Sequence, residues 1–167
     1  MSKIDPEFEV RSLFQCEAGQ LVYYLLYNGS GPRAHSLGIV LERQSDSIVL
    51  LKLQPALQIE SITSGDYQAV IWKEADLQVH LDGMSAVYSD NIMMREGVAV
   101  VRGSDCFLKF GSTSVDLRTW VRTIQRSVDP ESVAFSNWTI SVRKPGTQNE
   151  RHTLISHKAT SYGEWVG

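Results

Sequence analysis

The sequence predicts a mainly β domain of the α+β class. Its curved antiparallel sheet is closed as a barrel or stacked as a sandwich of short strands. It carries one late amphipathic helix over about residues 114–128, and a hairpin follows. Three observations predict this. Aliphatic and aromatic runs recur at about eight- to twelve-residue spacing between turn formers. A helical period takes over once, from Leu117. Alternation then returns at Trp138–Val142.

The strands are read in order. Leu21–Tyr27 is rich in aromatic and aliphatic residues and stops at Asn28-Gly29-Ser30-Gly31-Pro32. Leu37–Glu42 and Ile48–Leu53 flank a polar loop, Arg43–Ser47, of hairpin length. Their nearly continuous apolar character predicts burial on both faces. Pro55 closes the second run, because it has no N–H to give a central ladder. Tyr67–Trp72, Leu77–Leu81 and Ala86–Ser89 continue the series. Gly97–Arg102 and Cys106–Phe110 lie either side of Gly103-Ser104, and a glycine first in a two-residue loop suits a tight II′ turn.

Leu117, Trp120, Val121, Ile124 and Val128 then fall on one helical stripe. Ser112, Thr113 or Ser114 can cap it, Asp116 and Arg126 suit its dipole at either end, and Pro130 stops it. Beyond it, Trp138–Val142 and His152–His157 form a hairpin around Pro145-Gly146. The whole chain, 1–167, reads as one domain, with residues 1–8 expected to be flexible and 160–167 an ambiguous tail.

With 43% hydrophobic and 21% charged residues, the 167-residue chain has enough apolar material for one core and is not of disordered type. No window is apolar for ~18 residues, and MSKIDPEFEV is charged where a leader would be apolar, so a soluble, cytoplasmic protein off the membrane is expected. Cys16 and Cys106 stand apart, outside any CxxC, and are expected to be free thiols. The formal charge of −3 is uneven: residues 1–114 hold nine Lys/Arg against fourteen Asp/Glu, and residues 115–160 seven against four. A nucleic-acid binder normally shows a basic excess, which only the last third has.

No phosphate loop, dinucleotide fingerprint, zinc-protease helix or nucleophile elbow occurs. Gly29-Ser30-Gly31 is a turn by composition. His80 and Asp82, two apart, share a strand face, but Asp82 before Gly83 also suits a turn. His152 and His157, five apart, point to opposite faces of a regular strand and cannot chelate one metal. Asp90 and Glu96 carry no specific acid–base signal among nineteen acids. No cofactor and no metal are expected.

The one localised feature outside the core is Arg118, Arg122 and Arg126. On a helix their i, i+4, i+8 spacing stacks three like charges along one edge, which an anion must relieve. That anion is either an acidic side chain of the first 114 residues or an external partner. The leading expectation is a non-catalytic interaction protein (inhibitor, adaptor or regulatory subunit) that binds another protein. The alternatives are a β-barrel module for a nucleic acid, nucleotide or other anionic ligand, and a hydrolase.

Overall fold

The computed structural model describes residues 8–26, 34–63, 65, 67–87, 96–124, 131–144 and 146–158. Tyr27, Gly29-Ser30-Gly31, Tyr88, Ser89, Asp90, Arg126, Val128 and the 160–167 tail lie outside them. Fifteen strands are described: β1 (Phe8–Ser12), β2 (Leu21–Leu26), β3 (Ala34–Arg43), β4 (Ser47–Gln54), β5 (Gln58–Thr63), β6 (Gln68–Trp72), β7 (Leu77–Leu81) and β8 (Ala86–Val87), then β9 (Val98–Arg102), β10 (Asp105–Phe110), β11 (Thr113–Asp116), β12 (Arg122–Ile124), β13 (Val133–Phe135), β14 (Asn137–Arg143) and β15 (Arg151–Lys158).

They pair antiparallel into three sheets, ordered β1-β6-β2-β3-β4-β5, β12-β11-β10-β9-β13-β8 and β15-β14-β7. Among the described residues each sheet ends in unpaired edge strands and no closed barrel is found, which corrects the barrel expectation while leaving the mainly β reading intact. The sheets share one core. Leu21, Ile39, Leu41, Val49, Leu51 and Leu53 of the first pack with Ala99, Leu108, Val115, Leu117 and Trp120 from the second, and with Trp138, Ile140, Val142 and Leu154 of the third. Alternation then puts Val22, Tyr24, Val40, Ile48, Leu50, Ala69 and Ile71 on the far face of the first sheet, where Leu13 and Cys16 cover them. That double burial explains the near-continuous apolar runs of β3 and β4.

The predicted hairpins form. β3 and β4 close with Arg43 opposite Ile48. β9 and β10 close with Arg102 opposite Asp105, leaving Gly103-Ser104 as the two-residue loop. Gly103 has φ +55° and Ser104 is not in the left-handed region, the φ pattern of a II′ turn. β14 and β15 form the final hairpin, with a register shift between Ile140 and Ser141.

The helix expected over 114–128 is not seen over the part of it that is described, 114–124; no helix of seven or more residues occurs among the described residues. Residues 113–116 and 122–124 are instead the two arms of a hairpin, β11 and β12, with Val115 opposite Arg122. A single helical turn survives between them. The Trp120 N–H reaches the Asp116 carbonyl at 2.8 Å, an i→i+4 bond, and Asp116 Oδ1 accepts the N–H groups of Arg118 and Thr119 at 2.9 and 3.1 Å. Trp120 then takes φ +55°, and the helix stops. A helix pays a nucleation penalty before it propagates, whereas β-branched Thr113 and Val115 find an existing edge at β10, and β-branched Thr123 and Ile124 then pair with β11. The apolar spacing was helical, but Leu117 and Trp120 reach the core from a turn.

The register shift also corrects the histidine reading. It places His152 opposite Val142 and His157 opposite Trp138, so both sit across from residues of one face. Those partners are four strand positions apart, on the order of 13 Å, so the pair still cannot share one metal.

Candidate functional site

Cross-strand pairs share a face. Thr113 lies opposite Ile124, and Val115 opposite Arg122. Val115 is wholly buried in the shared core, so Arg122 and Ile124 also point to the core-facing side of the second sheet. β12 is the sheet's edge, and there the layer above it ends. Ile124, on that inner face, is nevertheless 91% exposed, and Val121, just before the strand, is 40% exposed. The result is an open mouth between the first and second sheets, a cleft of about 650 Å³ lined by Glu42, Ser112, Thr113, Val121, Arg122, Thr123 and Ile124.

Glu42 enters this mouth from β3. Its carboxylate meets the Arg122 guanidinium at 2.7 Å. The Gln44 amide, which donates to Glu42 Oε1 at 2.7 Å, and then Arg122 hold the carboxyl below its usual range. Arg122 therefore finds internal relief from the acidic first part of the chain. Arg118 lies exposed in the turn before β12, so no helical stripe aligns it with Arg122. It is near enough to Cys106 to act, against burial, on that thiol. The residues that sequence reasoning missed are Glu42 and the exposed pair Val121 and Ile124. Nothing local marks Glu42, because it reaches Arg122 across eighty positions of chain.

Asp82 accepts the Met84 N–H at 3.0 Å through Oδ1, capping a short 3-10 turn at Gly83–Ser85. His80 stands opposite Thr139, whose hydroxyl is 3.2 Å from that of Ser156. Tyr24 is buried and donates to Glu60 at 2.9 Å; burial and then Glu60 push its phenol up. Cys16 and Cys106 are free thiols, and burial raises Cys16 to about 11 and Cys106 above its ordinary value. Among the described residues no group of three or more His, Cys, Asp or Glu is placed to hold a metal ion. No described helix is long and apolar enough to cross a membrane.

His157 carries a consequence for acid stability. Its ring stacks on Trp138 with centroids 4.9 Å apart, and its Nε2 is buried without a hydrogen-bond partner. Burial lowers its pKa below 6.5. The unfolded chain, with an ordinary imidazole, then binds the proton more readily than the fold does. Stability from this residue is complete above about pH 6.5 and is lost as pH falls below it. Melting curves from pH 7.5 to 5 are expected to decline less steeply in His157→Gln than in the wild type. Equal slopes would assign the acid sensitivity elsewhere.

No family model matches the sequence, and neither a curated protein nor a solved structure matches it.

Proposed function

We propose that this is a non-catalytic interaction protein that receives an extended segment of a protein partner along the open edge of β12. The observation that carries the reading is Ile124, 91% exposed on the core-facing side of a strand that is an unpaired edge among the described residues. A monomer normally guards such an edge with charge, a bulge or a covering loop. An added strand would satisfy the outward backbone groups and lay its own side chains over Ile124 and Val121. Arg122 with Glu42 would fix the polar end of that strand, and Arg118 would steer its approach; Arg126 belongs to the same proposal through its place in the sequence. An anionic ligand would gain less here, because the Arg122 guanidinium already meets Glu42. The free thiols suit a reducing compartment such as the cytoplasm.

The test is selection of binders from a displayed library of unstructured peptides, followed by Ile124→Asp. Because the side chain is exposed, Ile124→Asp should change stability by no more than ~0.5 kcal/mol. It should weaken the selected peptides by ~2 kcal/mol or more, as loss of an interface anchor does. Peptides that bind Ile124→Asp as well as wild type, or a selection that yields none from a chain that also stays monomeric, would overturn the reading.

A further inference from the structure

We infer that the strand received at β12 is β12 of a second copy of this chain, giving a two-fold dimer with Thr123 on the axis. This rests on the strand-docking reading above and names its partner. The backbone sets the register. The Asp116 N–H bonds to the Val121 carbonyl at 3.0 Å, so Val121 turns its polar groups toward β11. Direction alternates along an antiparallel strand. Thr123 therefore also faces β11, while Arg122 and Ile124 turn their N–H and C=O groups to the open edge. Two outward residues, two positions apart, match an antiparallel copy of themselves. Arg122 of each chain exchanges both bonds with Ile124 of the other, and every outward group of the strand is satisfied.

Side chains and charge agree with that register. Arg122 and Ile124 lie on the same face, so each exposed isoleucine lands beside the aliphatic stem of the other copy's arginine, apolar surface that an arginine can bury while its head stays paired. Each mouth already holds both signs, with Arg122 Nη2 and Glu42 Oε2 2.7 Å apart. Two such mouths meet as neutral surfaces, and Glu42 of one copy stands ready for Arg122 of the other. An inward charge is a usual guard against edge pairing, and here Glu42 cancels the one that β12 carries. A two-fold contact needs a self-complementary patch, and this arrangement is one.

The experiment combines sedimentation of the full chain with directed cross-linking. Wild type is expected at twice the mass of one chain, with Ile124→Asp shifted about tenfold or more toward monomer. In the proposed register Thr123 faces its own copy as a non-hydrogen-bonded pair, with Cα atoms about 4.5 Å apart, inside the range a disulfide spans. Thr123→Cys should therefore form a covalent dimer under mild oxidation. Arg118→Cys, exposed but off the axis, should not, and wild type with Cys16 and Cys106 gives the background. A wild type that stays monomeric at every concentration, or a dimer in which Thr123→Cys forms no cross-link, overturns the self-pairing. If selected peptides still bind and fail on Ile124→Asp, strand docking survives that result. If neither peptide nor copy engages the edge, both readings fall.

Discussion

Trp120→Ala is expected to destabilise the fold by about 3–5 kcal/mol, the usual cost of deleting a buried large aromatic, against a total of ~5–15 kcal/mol for a domain. Trp120 is 7% exposed and packs with Leu117, Val115 and Leu108 in the core that all three sheets share. A second comparison is more diagnostic than the loss itself. At φ +55° a side chain with a Cβ is strained by ~1–2 kcal/mol, and glycine is not. Trp120→Gly should therefore be more stable than Trp120→Ala by about 1 kcal/mol. A helix interior would give the reverse order by a similar amount. Urea melts of the two variants side by side decide it: alanine above glycine would restore the helix and remove the hairpin that β12 belongs to.

Trp138→Ala should cost about as much, ~3–5 kcal/mol, because Trp138 is 2% exposed at the junction of the second and third sheets. Its indole N–H donates to the Gly97 carbonyl at 2.6 Å, and its ring carries the His157 stack. Trp138→Phe keeps an aromatic face but leaves that carbonyl without its donor, an expected cost of about 1–3 kcal/mol. Gly97 holds φ +75°, and a Cβ placed on it would lie 3.0 Å from His157 Nε2. Thermal melts of Trp138→Phe and Trp138→Ala should fall in that order below wild type. If Trp138→Phe matched wild type, the hydrogen bond to Gly97 would contribute nothing to stability.

Strand-forming segments, hairpin loops and the buried character of most aromatics follow from local residue patterns, because alternation and turn chemistry act over a few positions. Gly103-Ser104 marks its turn through one backbone requirement, and Leu37–Glu42 with Ile48–Leu53 mark theirs through apolar runs around a polar loop. The short strands β1, β5, β11, β12 and β13 were not legible, since their pairing depends on partners supplied by distant segments; β1, for example, pairs with β6 sixty positions on. The stripe from Leu117 to Ile124 shows the limit most clearly. Its spacing satisfies a helix and a tight hairpin turn equally, so composition fixed which residues were apolar but not which of them would be covered. Tertiary structure decided that Leu117 and Trp120 go inward while Val121 and Ile124 stay open. It also decided that Arg122 meets Glu42. A contact between residues eighty positions apart exists only after the sheets have stacked, and the candidate site lies where that stacking ends.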